Sequence, residues 1–311
     1  MDRRPIGVFD SGLGGLTAVR SLRRILPGED LVYFGDTARV PYGGRSPETI
    51  LKYARQDVRF LRTFDLKAIL IACGTVTTTS LPQLRQENDL PIVGVVEPSC
   101  RAALAATSNG RIGMIATQAS VRSGAYERTL RGLDPAVTVI QKACPLFVPL
   151  AEEGRTRPGD LVIETVAEEY LASLREEGID TLILGCTHYP LLKDVIANVM
   201  GPGVALIDSG EESAKELQRL LTASDSLGEP QGGGAIYCVS DRVEDFQRLA
   251  SRFLGEDVAG SARRVEVEDV RAHPCDPDPE KPPGLRRRVR GDGAFHRGDP
   301  AADAGGLGDR L

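Results

Sequence analysis

Two apolar runs in this sequence end in thiols. "TLILGCTHYP", Thr181 to Pro190, drives straight into Cys186, Thr187 and His188, and "AILIACGTVTT", Ala68 to Thr78, does the same into Cys73, Gly74 and Thr75. A thiol with an ordinary pKa of about 8.5 becomes a base or an acid at neutral pH through a modest change of surroundings. Taking a proton from one face of a carbon and returning one to the other requires a base and an acid, both within reach. An identical pair can exchange those roles, which is what a reversible inversion of a stereocentre demands.

The neighbours of the two thiols support this chemistry. Gly-Thr after Cys73 and Thr-His after Cys186 surround each sulfur with backbone and hydroxyl donors, and a following helix N-terminus favours the thiolate. His188 is the first of the three histidines, the others being His273 and His296. Zinc would take thiolate and imidazole, but a structural site needs four ligands and no second histidine or paired cysteine lies near, so no metal is expected. Asp10 closes the run "PIGVFD" and precedes "SGLGG". That loop matches a dinucleotide fingerprint poorly, because Thr17 stands where the third glycine belongs and Asp10 would repel a pyrophosphate. The carboxylate suits a partner for a thiol proton or a substrate ammonium; the plainer alternative is an N-cap for the next helix. Cys100, Cys144 and Cys238 lack such neighbours and read as small packed hydrophobes.

Strand ends of this kind must be held by a sheet. β-rich runs alternate with amphipathic stretches, with strands expected near 68–73, 92–96, 111–116, 137–141, 181–185, 204–207 and 235–239, besides "PIGVFD" and "LVYFGD". Helices are expected over "GGLTAVRSLRRIL", from Ser46 as N-cap with Pro47 at the first helical position, and near 160–177, 190–199, 210–222 and 241–254. This alternation predicts an α/β fold of mostly parallel sheets flanked by helices, with ligands at the carboxyl edge of the strands. The two Cys-Thr strand ends lie too far apart for one small unit. They predict two similar lobes facing each other across a cleft, 1–97 plus 208–255 and 98–207, followed by a disordered Pro/Gly/Arg-rich tail over 256–311.

The 311 residues carry a net charge of −6 and 26% charged residues, which argues against binding of nucleic acid or an anionic membrane by the folded body. An anionic substrate would have to be held by local dipoles. No apolar stretch reaches the roughly 20 residues that cross a bilayer, and the six cysteines show no C-x-x-C pair, so the chain reads as cytoplasmic with free thiols. "RRRVR" in the tail reads as a solvated charge run.

With these residues assembled, the chain resembles the glutamate racemase family of the aspartate/glutamate racemase superfamily. The matching segments are "GVFDSGLGGLTAVRSLRRILP", "YFGDTARVPYG", "ILIACGTVT", "CPLFVPLAEEG" and "LILGCTHYPLL". The resemblance implies pseudo-symmetric lobes and interconversion of L- and D-glutamate without cofactor, supplying D-glutamate for peptidoglycan. It implies that Cys73 deprotonates D-glutamate and Cys186 L-glutamate, with Asp10 and His188 as their respective helpers and Glu152 as a further acidic one. Substrate contacts carry over to Asp10, Ser11, Tyr42, Gly43, Gly74, Thr75, Thr117, Thr187 and His188, partly through backbone N–H groups. A homodimer follows by family analogy. Gly74 departs from the pattern, which more often has asparagine there.

Rival expectations are a related acidic amino-acid racemase acting on aspartate, a hydrolase with Cys186 as nucleophile and His188 as base, and a redox or ligand-binding module. Pyridoxal phosphate would need a lysine facing the thiols, and the nearest to strand ends are Lys142 and Lys193.

Overall fold

The structure, a computed structural model, describes residues 1–255, 258 and 262–267. Its strands are β1 (Ile6–Asp10), β2 (Leu31–Gly35), β3 (Ala68–Ile71), β4 (Ile92–Gly94), β5 (Arg111–Ala116), β6 (Thr138–Ala143), β7 (Thr181–Leu184), β8 (Ala205–Asp208), β9 (Ala235–Val239) and β10 (Ala262–Arg264). They form a six-stranded sheet, β10-β9-β2-β1-β3-β4, and a four-stranded sheet, β6-β5-β7-β8. Every pairing is parallel. β1 to β4 and β7 are buried along their whole length, as strands covered by helices on both faces must be.

The two sheets repeat one order. The first four strands run β2-β1-β3-β4 and the next four β6-β5-β7-β8. Register makes the repeat exact to the residue at the carboxyl edge. Phe9 pairs with Ile71 in the first sheet and Ile115 with Leu184 in the second. Cys73 and Cys186 therefore each stand two residues beyond an equivalent pairing, and Ser11 is equivalent to Thr117. This is the pseudo-symmetry expected from sequence.

Local chemistry starts the elements where the sequence predicts. Ser46 accepts a hydrogen bond from the Thr49 N–H, with Pro47 opening helix Pro47–Leu61. Helices Leu16–Ile25, Ser209–Ala223 and Val243–Leu254 contribute to the core on one face of the first sheet, and helices Pro47–Leu61 and Gly74–Gln86 to that on the other. Around the second sheet, one core gathers helices Phe147–Glu152, Leu161–Glu176 and Lys193–Met200, and the other Val96–Ala106 and Ala125–Leu133. The stretch expected as a helix near 190–199 is divided, a 3-10 turn over Tyr189–Leu192 leading into Lys193–Met200.

One expectation needs correction. The structureless tail placed at 256–311 begins too early, because β10 extends the first sheet beside β9 and Val258 and Val267 are buried. Three strand residues are too few to show periodicity; hydrogen bonding to β9 supplies their order. The remainder of that stretch, with "RRRVR", His273, Cys275 and His296, lies outside the described residues. Among the described residues no helix is long and apolar enough to cross a membrane.

Candidate active site

In the first sheet, β1 delivers Asp10 and β3 delivers Cys73 to the same edge. Cys73 precedes helix Gly74–Gln86 with extended backbone, φ −67° and ψ 116°, so the N–H groups of the first turn face its side. Its Sγ lies 3.5 Å from the Ser11 Oγ. Burial, and then the negative charge of Asp10, push the Cys73 thiol up to about 12 against the pull of the Ser11 hydroxyl and nearby backbone N–H groups. In the free protein this sulfur carries its proton at neutral pH.

Asp10 is buried, and the Gly12 N–H donates to its Oδ2 at 3.1 Å. Its Oδ1 makes no hydrogen bond among the described residues, although the Gly15 and Ser11 N–H dipoles act on the carboxyl. Burial raises its pKa, offset in part by the charge of His188. Asp10 does not cap the following helix, whose N-cap is Gly15 with no side-chain bond. The plainer reading of Asp10 is thereby set aside, and one buried carboxylate oxygen is left without a hydrogen bond among the described residues.

In the second sheet the titratable side chain beside the thiol follows the thiol's own strand, β7. His188 follows Cys186 on the β7 side, and its Nδ1 lies 3.9 Å from the Cys186 Sγ. The other ring nitrogen, Nε2, is 3.0 Å from the Glu152 Oε1. Burial alone would depress the imidazole, but the hydrogen bonds and charges of Cys186 and Glu152 outweigh it and hold the pKa at about 10. His188 is then an imidazolium at neutral pH, donating through both nitrogens. The ring of Phe253 meets the imidazole edge to face, with centroids 5.5 Å apart and planes at 87°. Arg252 donates to the Glu152 carbonyl oxygen at 3.0 Å.

The two edges face and touch each other. A Cβ on Gly74 would stand well inside van der Waals contact distance of the Gly185 carbonyl oxygen. Since Gly74 follows Cys73 and Gly185 precedes Cys186, the thiols emerge from backbone segments in direct contact. The asparagine usual at this position in the resembling family would require Gly185 to shift. The Thr75 and Thr117 hydroxyls are 3.0 Å apart across the gap. Thr17 Oγ1 donates to the Thr187 carbonyl oxygen at 2.8 Å, and Gly14 packs so tightly on Thr187 and His188 that no side chain fits there.

The site thus gathers Cys73, Asp10, Ser11, Gly74, Thr75 and Thr117 with Cys186, Thr187, His188 and Glu152. Gly43 joins them, since a Cβ built on it would contact Thr117. Glu152 reaches the imidazole, not a thiol. For Tyr42, a substrate contact falls to the backbone of its turn and not to its side chain. Its phenol is buried and turned toward Asp36 and Asp57, leaving only its backbone near the cleft. Sequence reasoning missed Gly14, Thr17, Arg252 and Phe253. The glycine-rich loop offered a signal for Gly14; nothing in the sequence marks Phe253, which meets His188 only through tertiary packing. Among the described residues no group of three or more His, Cys, Asp or Glu side chains could hold a metal ion, and the five described cysteines are free.

The sequence profile of the Asp/Glu/hydantoin racemase family matches residues 6–217. The chain belongs to this family. Within it, a glutamate racemase of Geobacter metallireducens is 46% identical over 269 residues, covering 86% of this chain and 98% of that protein. Among solved structures of the racemase family, a glutamate racemase isoform from Bacillus anthracis superposes with a TM-score of 0.81 at 37% identity, covering 86% of this chain and 98% of that one. A glutamate racemase from Francisella tularensis in complex with D-glutamate gives a TM-score of 0.79 at 37% identity, covering 86% and 99%.

Proposed function

We propose that this chain is a glutamate racemase, interconverting L- and D-glutamate without a cofactor and supplying D-glutamate for peptidoglycan. The observation that carries the reading is the register equivalence of Cys73 and Cys186 on two touching sheet edges. In the proposed reaction Cys186 removes the Cα proton of L-glutamate while the Cys73 thiol delivers its proton to the opposite face; D-glutamate runs the same steps in reverse. The substrate's own ammonium group makes its Cα proton more acidic, and in this reading Asp10, whose Oδ1 has no hydrogen bond among the described residues, holds that ammonium.

The imidazolium of His188, held by Glu152, stabilises negative charge on Cys186. On the other side Asp10 accepts the Cys73 proton when D-glutamate enters, leaving the thiolate that removes its Cα proton. Backbone N–H groups after Ser11, Tyr42 and the two cysteines, with the Thr75, Thr117 and Thr187 hydroxyls, take the two carboxylates. That is how a protein of net charge −6 can hold an acidic substrate, through fixed dipoles in place of a basic patch. By analogy within the family we further propose a cytoplasmic homodimer.

The test is the optical rotation of L- and D-glutamate solutions with time in deuterium oxide. Racemisation with label at Cα is expected from both enantiomers, and a wild-type protein giving neither overturns the reading. The Cys186–His188 spacing also fits a thiol hydrolase. Full activity in Cys73→Ala would favour that alternative.

A further inference from the structure

Beside the cleft lies a buried polar cluster for which the racemisation chemistry has no use. Asp36, just past β2, and Asp57, inside helix Pro47–Leu61, are both fully buried. Arg39 donates to Asp36 Oδ2 at 2.6 Å and to Asp57 Oδ1 at 2.9 Å, and its guanidinium lies 4.3 Å over the Tyr53 ring. Ser240 donates to Asp36 Oδ1 at 2.8 Å and accepts from the Ala38 N–H at 2.9 Å. The Tyr42 hydroxyl sits between the carboxyls, bonded to Asp36 Oδ2 and 3.1 Å from Asp57 Oδ2.

Proton counting decides the arrangement. The Tyr42 hydroxyl has one hydrogen and stands within hydrogen-bond distance of two carboxylate oxygens. Asp36 accepts at both oxygens from Arg39, Tyr42 and Ser240, so no position there calls for another proton. Asp57 Oδ1 accepts from Arg39, whereas Asp57 Oδ2 faces only the Tyr42 oxygen. A proton on Asp57 Oδ2 satisfies every member: Asp57 donates to Tyr42, and Tyr42 donates to Asp36. Without it, two buried anions would share one arginine, with the Asp10 carboxyl as a further negative neighbour.

We propose that Asp57 is a positioning residue, held as a neutral carboxylic acid whose proton completes an Asp57–Tyr42–Asp36 relay that fixes the Tyr42–Gly43 turn against the cleft. Burial and the charge of Asp36 raise the Asp57 pKa, in agreement with the geometry. The turn is closed by the Arg45 N–H donating to the Tyr42 carbonyl oxygen at 2.9 Å, and its Gly43 faces Thr117 of the opposite edge. A relay that holds Tyr42 therefore holds the backbone N–H assigned above to a substrate carboxylate. The functional part of the proposal rests on that assignment; the protonation of Asp57 does not.

The experiment compares the full-length protein with Asp57→Asn and Asp57→Leu. Asparagine is neutral, can donate to Tyr42 and can accept from Arg39, so its glutamate KM is expected within about twofold of wild type. Leucine breaks the relay and is expected to raise KM about tenfold with a smaller fall in kcat, the signature of lost positioning at a binding group. Infrared difference spectra of wild type minus Asp57→Asn are expected to show a protonated-carboxyl C=O band at neutral pH that shifts in deuterium oxide. Absence of that band, or an asparagine variant as impaired as the leucine one, overturns the proposal. If Asp57→Leu fails to fold, the band and the asparagine kinetics still decide. A wild type that racemises neither enantiomer would defeat the functional reading, while the infrared band would still report on Asp57.

Discussion

The two edges of the cleft present the same nucleus in different surroundings. Cys73 and Cys186 occupy equivalent register positions, yet Asp10, the proposed helper of Cys73, ends the first strand of its repeat, where the second repeat has Ala116. His188, the proposed helper of Cys186, stands two residues after its cysteine, where the first repeat has Thr75. One thiol thus has a carboxyl beside it and the other an imidazolium. The fold supplies mirror placement of the sulfurs, and the sequence supplies opposite charges beside them. The resting protein is accordingly polarised, with a protonated Cys73 on one side and an imidazolium beside Cys186 on the other.

The comparison is broken most severely by removing either sulfur. Cys73→Ala and Cys186→Ala are each expected to lower racemisation by about 10⁴-fold in both directions, measured by circular dichroism of glutamate. A survivor on one side only would mean that the halves are not partners.

Neutralising a helper comes next, with Asp10→Asn and His188→Leu each expected to cost about 10³-fold. Enantiomers have equal free energy, so kcat/KM remains equal in the two directions for every variant, and the asymmetry must be sought in isotope effects. Asp10→Asn slows transfer at Cys73, so the α-deuterium effect grows for D-glutamate and shrinks for L-glutamate; His188→Leu gives the reverse. Equal changes for both enantiomers would dissolve the distinction between the halves. The charge beside Cys186 also leaves a mark on stability. The His188 pKa is raised from 6.5 to about 10, so its contribution is complete below about 6.5 and is lost as pH climbs through about 10. Denaturant unfolding of wild type against His188→Leu between pH 6 and about 10.5 should show the difference shrinking.

Gly74→Ala tests the contact between the edges. Its Cβ would push against the Gly185 carbonyl, and displacement of reacting groups by about 1 Å costs on the order of 10²-fold. Unchanged kcat would show that the backbone contact does not set the catalytic distance. The smallest effect is expected at Thr17→Val, which removes one hydrogen bond between the halves and should lower stability by about 1 kcal/mol in urea unfolding.

Much of the first-level design was legible in the chain. Apolar runs of four to five residues ending in Cys73, Cys186 and Asp10 marked both the strands and their functional edge, because parallel strands buried on both faces leave polarity only at their ends. What sequence could not show are contacts made across long separations. The pairing of the Tyr42 hydroxyl with Asp36 and Asp57, and the contact of the Phe253 ring with His188, join residues that no local pattern links. β10 escaped notice because its order comes from its neighbour, not from its own pattern.

Contact between Gly74 and Gly185 is main chain on main chain, so any side chain introduced at position 74 presses directly on the Gly185 carbonyl. Substitution at that one backbone position therefore moves one edge of the cleft against the other while leaving both thiols in the sequence.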